Sequence, residues 1–405
     1  MDRKVRIASL INELLFGGGE SRLLSFSRTV NRSEFLHEVV CVKRPDHEFD
    51  SRYGTMRDHY KGAGIRITDL GERYPNLRPR RLRGMATFRR VPMLARSVAR
   101  FCRFIRENQI DVVDAHLGSG SLVGTLAGTL TGVPVVITTY HVEAWEPLWL
   151  WRQVHPAVLR GAAAVITDSA ACARKVESFM GRPEGHVAVI PNGIEPPAPT
   201  RRRDEVKKAL GIPQDASIRI VAQIATFLPT KGQDVLIEAA DMILRQQRNV
   251  FFLLVGYPRD DASYADAVRQ QAVRLGIEDR VRICSYPGDI GDVWSIVDIH
   301  AHPTQLDSLP QAIMEAMSLG IPSVVTPTGG IGTMVENERT GLIVPPRDPV
   351  ALGNALLRLL REPETARRLG DGAQQRYRER YTTAHMTRSL EQLFARLASA
   401  GSGAA

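Results

Sequence analysis

Short β-branched runs alternate with helix-periodic stretches along the whole of this chain, and few folds accept that pattern. A strand followed by a helix pairs in parallel with a later strand, so the alternation calls for parallel sheets covered by helices. In the first half strands are read at Val5–Ile11, Glu38–Val42, Ile65–Asp69, Val112–His116, Val133–Thr138, Ala164–Thr167 and Val187–Ile190. Helical patterns fill the gaps, notably Pro92–Glu107, Leu122–Leu130 and Ala170–Met180. PNGIEPPAPTRRR (Pro191–Arg203) has no periodicity and reads as a linker, with a hinge near Pro196–Arg203. The pattern then restarts. Strands are read at Ile218–Ala222, Val250–Val255, Arg280–Ile283, Ile299–His302, Ser323–Thr326 and Leu342–Val344. Helices are read at Gly232–Gln247, Tyr264–Leu275, Pro310–Leu319 and Val350–Leu360. The reading is therefore α/β, with two Rossmann-like doubly wound domains at 1–196 and 197–405. The last helix, about 380–398, is expected to pack back on the N-terminal domain. Ligands of such sheets sit at the carboxyl ends of the strands, and two facing edges would form a cleft.

The 405 residues can bury a core in each domain, and 43% hydrophobic content excludes low-complexity disorder. The net charge of +9 is uneven: residues 1–200 hold 28 Lys+Arg against 20 Asp+Glu, residues 201–405 hold 25 against 24. A basic first half suits an anionic partner. Cys41, Cys102, Cys172 and Cys284 are far apart and lack C-x-x-C spacing, which suits a reducing cytoplasm and suggests no zinc or disulfide framework. MDRKVRIASLI lacks the apolar core of a signal peptide. Ala115–Val142 is uncharged, yet its glycines and Pro134 mark a helix followed by a strand rather than a membrane span.

Three segments carry chemistry. FGGGES (Phe16–Ser21) joins the first strand to a helix, where glycines let backbone N–H groups approach an anion. A plain tight turn explains them equally well, and the string is not the dinucleotide pattern G-x-G-x-x-G. PTKGQD (Pro229–Asp234) follows a strand and opens a helix. A cation such as Lys231 is poorly placed there for stability alone, so a polyphosphate would account for it; a solvated lysine is the alternative. In HPTQLDSLPQAIMEAMSLGIP (His302–Pro322), Ser308 is a natural N-cap and Pro310 suits the first turn of a helix starting near Leu309. Free N–H groups of Ser308 and Leu309 would hold a phosphate, while Glu315, among apolar neighbours, needs hydrogen-bond donors; a capped helix carrying one solvated Glu is the alternative.

The pair Asp307 and Glu315, followed by EAMSLGIPSVVT and TGLIVPP (Thr340–Pro346), resembles the donor-site signature of family-four glycosyltransferases, which have the GT-B fold. The GGGE loop, DVVDAH (Asp111–His116), TTYH (Thr138–His141), VITDSA (Val165–Ala170), VIPNGIE (Val189–Glu195), LPTKG (Leu228–Gly232) and LLVG (Leu253–Gly256) follow in family order. The resemblance implies transfer of a hexose-type sugar from a nucleotide diphosphate sugar, of the UDP or GDP type, with retention and without a cofactor, and the lack of a D-x-D string means that the sequence requires no metal ion. Glu315 would then accept from the ribose hydroxyls and Asp307 would meet the transferred sugar. Lys231 would neutralise the diphosphate, and His141 would touch the sugar near the reacting carbon. Gly18 and Gly19 would approach the phosphates or the acceptor, and Ser285 and Tyr286 fall where the family holds the nucleobase. Three positions depart from the pattern. Asp307 stands where the family usually has Glu, Thr226 replaces a basic residue, and Gly332–Thr333 replaces Pro-Glu after Gly329 and Gly330.

The acceptor is read as a saccharide, lipid-linked or small-molecule hydroxyl compound. His116 would line its pocket, though a histidine at a strand end is as often structural. Tyr140 beside His141, and Trp145, Trp149 and Trp151 in EAWEPLWLWRQ, would stack on an acceptor ring, rest on lipid, or simply pack a helix. Arg78–Arg106 carries ten arginines and no acid; Leu94, Val98, Phe101 and Ile105 make one face opposite Arg96, Arg100 and Arg103. Such a helix packs on its own sheet or lies peripherally on an anionic membrane. A sugar-nucleotide epimerase of the same fold is the alternative enzyme. A nucleic-acid partner is disfavoured, because no recognisable motif accompanies the basic charge.

Overall fold

The computed structural model describes residues 3–14, 17–43, 55–72, 83–139, 149–257 and 263–402. The chain divides into two compact units, Met1–Gly193 with Thr383–Ala405, and Ile194–Thr382. In the first run β1 (Val5–Ile11), α1 (Gly18–Thr29), β2 (Phe35–Lys43), α2 (Arg57–Gly62), β3 (Ile67–Glu72), α3 (Arg83–Glu107) and β4 (Val112–His116). They are followed by α4 (Leu117–Thr131), β5 (Val135–Thr138), α5 (Trp149–Arg160), β6 (Ala164–Thr167), α6 (Ala170–Met180) and β7 (Ala188–Val189). The second unit holds α7 (Arg203–Ala209), β8 (Arg219–Ile224), α8 (Gln233–Leu244), β9 (Val250–Val255), α9 (Ser263–Arg274), β10 (Val281–Cys284) and α10 (Ile290–Ile296). It continues with β11 (Ile299–His302), α11 (Gln311–Ser318), β12 (Ser323–Val325), α12 (Ile331–Met334), β13 (Leu342–Ile343), α13 (Pro349–Arg361) and α14 (Pro363–Arg380). The last helix, α15 (Thr383–Ser402), belongs to the first unit.

Both sheets are parallel throughout, in the orders β3-β2-β1-β4-β5-β6-β7 and β10-β9-β8-β11-β12-β13. Strand order therefore reverses between β1 and β4 and again between β8 and β11, the points where open α/β sheets take ligands. Side-chain alternation sorts each strand between two cores. Ala8, Leu10, Val113 and Ala115 meet α3 and α4, whereas Ile7 and Val112 meet Met386, Leu390, Leu393 and Phe394 of α15. In the second unit Ile299 and Ala301 face α8 and α13, which turns His300 and His302 toward the opposite layer of α10 and α11. Two details differ from the sequence reading. Pro92 lies inside α3 rather than at its start. Thr200 and Arg201 are not slack linker: their backbone N–H groups donate to the buried carboxylate of Asp292 at 2.6 and 2.9 Å, which ties this stretch to α10. Ile194 and Thr382, the two ends of the second unit, form a parallel bridge, and Tyr377 donates to the Ile194 carbonyl at 2.7 Å.

Candidate active site

The reversal between β8 and β11 is where the second unit gathers its polar side chains. After β8 the chain makes a 3-10 turn at Pro229–Lys231, and Gly232 enters α8 with φ 68. A Cβ on Gly232 would stand 2.2 Å from the Pro303 carbonyl oxygen, so only glycine lets this loop press against the one that follows β11. Gln305 N and Thr304 Oγ1 both donate to the Thr230 carbonyl, at 2.7 and 2.9 Å, while Gln223 holds the Lys231 carbonyl at 2.7 Å. The clamp sets Lys231 Nζ 2.5 Å from Asp307 Oδ2. His302 Nε2 donates to the same oxygen at 3.2 Å, and the Ser308 N–H donates to Oδ1 at 3.1 Å. Burial alone would raise the Asp307 carboxyl; the His302 hydrogen bond and the Lys231 charge outweigh it and hold the group far below the usual carboxylate range.

Lys231 thus has a protein partner, a charge balance that the polyphosphate reading of this lysine did not foresee. Thr226 lies on the same loop, its carbonyl accepting from Gln233 Nε2 at 3.0 Å. Ser308 is not the N-cap of α11. That helix starts at Gln311 with Pro310 in the cap position, because the Ser308 carbonyl is drawn to Gly330 N (2.8 Å) and its N–H to Asp307. Leu309 is buried. The unpaired N–H groups that any helix start leaves therefore belong to the residues after Pro310.

Glu315 is half-buried on α11 and accepts from the indole N–H of buried Trp294 at 2.7 Å. Burial pushes its carboxyl up and Asp289 adds to the effect, against the pull of the Trp294 N–H. Trp294 packs edge-on against His300 with ring centroids 5.2 Å apart, and His300 lies 5.5 Å from His302. One continuous row, Glu315–Trp294–His300–His302–Asp307–Lys231, thereby joins the two acids expected to meet the donor. Sequence reasoning missed Trp294 and His302 as members. The available signal was His302 standing at an alternate strand position just before the acidic segment. Ser285 and Tyr286 follow β10, apart from that row. Ser285 Oγ donates to the Gly256 carbonyl at 2.8 Å; Tyr286 is buried with its hydroxyl on Asp292 at 2.9 Å, so its backbone and not its ring is what a base would meet.

In the first unit Gly18 is exposed and Gly19 half-buried at the start of α1. Glu20 folds its own carboxylate against Gly17, at the helix end where an anion was expected. His116 is buried at the end of β4. Tyr140, His141 and Trp145 lie outside the described residues, as do the side chains of Trp149 and Trp151.

Two families match this chain: "Glycosyl transferases group 1" over residues 202–376 and "Glycosyl transferase 4-like domain" over residues 17–193. The D-inositol 3-phosphate glycosyltransferase of Corynebacterium glutamicum is 31% identical over 67% of this chain and 69% of its own length. The chain belongs to the family-four glycosyltransferases. Within that family it is also similar to the Escherichia coli UDP-Gal:alpha-D-GlcNAc-diphosphoundecaprenol alpha-1,3-galactosyltransferase, at 24% identity over 65% of this chain and 70% of the relative. The Corynebacterium efficiens D-inositol 3-phosphate glycosyltransferase is 28% identical over 65% of this chain, and the match spans 66% of that relative, just under two thirds. The GT-B fold of the family is seen in the Anabaena Alr3699/HepE structure in complex with UDP and glucose, with TM-score 0.77, 21% identity, and 96% of this chain against 99% of that one. A Rickettsia africae glycosyltransferase gives 0.80 at 15% identity over 98% and 99%.

Proposed function

We propose that this glycosyltransferase moves a hexose-type sugar from a UDP-sugar to a hydroxyl of a saccharide acceptor, lipid-linked or small, with retention and without a metal ion. The observation that carries the reading is the Lys231–Asp307 pair set at the reversal of the second sheet, linked through buried rings to Glu315. Lys231 supplies a fixed positive charge where the leaving diphosphate gains negative charge, and the start of α11 adds N–H groups. Glu315, with one oxygen held by Trp294, presents the other to the ribose hydroxyls. Asp307, locked on both oxygens, serves the sugar through its remaining lone-pair positions and keeps Lys231 in place. Metal independence rests on the lack of a D-x-D string in the sequence. The similar E. coli enzyme's name supports a UDP donor and a lipid-diphosphate acceptor. The relatives matched are named as transferases, so the epimerase alternative is not retained. Incubation of the protein and EDTA with UDP-glucose and octyl β-glucoside should release UDP and yield an α-linked product by NMR. A β-linked product would refute retention. No UDP release from UDP-glucose, UDP-galactose or UDP-N-acetylglucosamine would refute the donor.

Peripheral contact with an anionic membrane, at the cytoplasmic side, is the second reading, and one observation favours it. Val98, Phe101 and Ile105 are buried, so α3 packs on its own sheet and leaves Arg96, Arg100, Arg103 and Arg106 exposed. Beside it α4 carries no charge and exposes Leu126 (40%) and Leu130 (64%). The sequences of α3, α4 and α5 together hold nine arginines and a single acid, Glu107. No helix among the described residues is long and apolar enough to cross a membrane.

A further inference from the structure

Polar side chains from β1, β4 and β5 of the first unit converge on one buried carboxylate that the donor site does not use. Asp114 is 2% exposed. Its Oδ2 accepts from Ser9 Oγ at 3.0 Å and from His116 Nε2 at 2.7 Å, and its Oδ1 accepts from Thr138 Oγ1 at 3.0 Å. His37 Nε2 stands 2.9 Å from Ser9 Oγ and completes the cluster. Burial pushes the Asp114 carboxyl up, but His116, the charge of buried Arg22 and Thr138 together hold it below its ordinary value. An ionised carboxylate only accepts hydrogen bonds. The proton between His116 and Asp114 therefore sits on Nε2. Because Ser9 gives its proton to Asp114, His37 must donate to Ser9; burial lowers the His37 pKa to about 4, which leaves that ring neutral with its proton on Nε2.

His116 Nδ1 is enclosed and has no hydrogen-bond partner among the described residues. A buried polar atom without a partner needs an explanation. His116 is the last residue of β4, at the reversal between β1 and β4, and α4 follows through Gly118 at φ 22. Across the same reversal Ser119 Oγ donates to Asn12 Oδ1 at 2.7 Å. This is the ligand position of the first sheet, and the orphan nitrogen belongs to it.

We propose that His116 Nδ1 accepts a hydrogen bond from a hydroxyl of the saccharide acceptor, and that Asp114 is the positioning residue that fixes the ring tautomer for that contact. The proposal rests on the transferase reading above. It assigns the acceptor hydroxyl a lone pair rather than an N–H, and it gives Asp114 a part played only through His116.

The test uses the full chain, UDP-glucose and octyl β-glucoside as acceptor probe. In His116→Gln the amide reaches toward Asp114 in place of Nε2 but leaves nothing at Nδ1. In Asp114→Asn the new amide donates to Nε2 and sends the ring proton to Nδ1. Each variant should lower kcat/KM for octyl glucoside about 100-fold, with UDP affinity by calorimetry changed less than about twofold. The double variant should be no worse than His116→Gln alone, since the two residues act as a unit. Nitrogen NMR of labelled histidine should show a bare Nδ1 in the parent and a protonated one in Asp114→Asn. Octyl glucoside kinetics kept within about threefold in His116→Gln, or losses that multiply in the double variant, overturn the proposal even if Asp114→Asn fails to fold. A parent chain that releases UDP but glycosylates no octyl glucoside overturns it as well. A parent chain that neither binds UDP nor consumes UDP-glucose overturns the transferase reading instead.

Discussion

Asp307 and Glu315 are two acids on one short segment whose surroundings drive them in opposite directions, and the consequence is measurable. Asp307 is depressed in the folded state, so its stabilisation is present above the unfolded carboxylate pKa of about 3.9 and is lost as pH falls below it. Asp307→Asn should flatten the acid side of a stability–pH curve measured by urea unfolding. Glu315 is raised, so the folded state holds its proton more firmly, and the associated stability is lost as pH rises through the raised value. Glu315→Gln should remove that decline and keep an oxygen for Trp294, whereas Glu315→Ala strands the indole N–H and should weaken UDP binding about 10- to 100-fold by calorimetry. Lys231→Ala should lower turnover of UDP-glucose by about 10²–10³-fold with the circular dichroism spectrum unchanged. At this scale the acids and the lysine were legible because their spacing around Gly and Pro is local. Their partners were not. His302 meets Asp307 from the end of β11 and Trp294 meets Glu315 from the neighbouring helix α10, and nothing in a linear string marks the indole that will meet a given carboxylate.

The elements were legible for a different reason. Every strand read from periodicity is present to within three residues at each end, because buried parallel strands need unbroken apolar runs. What the pattern hid was the start of α11. Ser308 has the chemistry of a cap, yet the loop holding Gly329 and Gly330 competes for its carbonyl and delays the helix to Gln311. Gly329 sits at φ 56 with a would-be Cβ only 1.6 Å from the Asp307 carbonyl oxygen. Gly329→Ala should therefore cost at least about 2 kcal/mol and disturb UDP binding. Gly332→Ala, whose nearest neighbour would be at 3.6 Å, should stay within about 0.5 kcal/mol. Urea midpoints of the two variants check the pair. The linker read at Pro191–Arg203 is irregular and holds the boundary between the two units at Gly193 and Ile194; what prolines and arginines do not announce is that Asp292, some ninety residues on, fastens Thr200 and Arg201 down.

For the molecule as a whole, charge and exposed leucine predict behaviour at a surface. Vesicles rich in phosphatidylglycerol should pull the protein down on centrifugation, less so at high salt, and Leu126→Asp with Leu130→Asp should weaken the capture; neutral vesicles should not bind it. The last helix, expected to pack back on the first domain, does return to it: Met386, Leu390, Leu393 and Phe394 of α15 share a core with Ile7 and Val112. The parallel bridge between Ile194 and Thr382 gives that return a practical meaning. The intervening stretch begins and ends at one spot, so it is inserted as a loop is inserted, with both seams side by side. A chimera spliced at those seams, taking the corresponding piece from a relative that uses another nucleotide, should fold and exchange donor preference while keeping its acceptor.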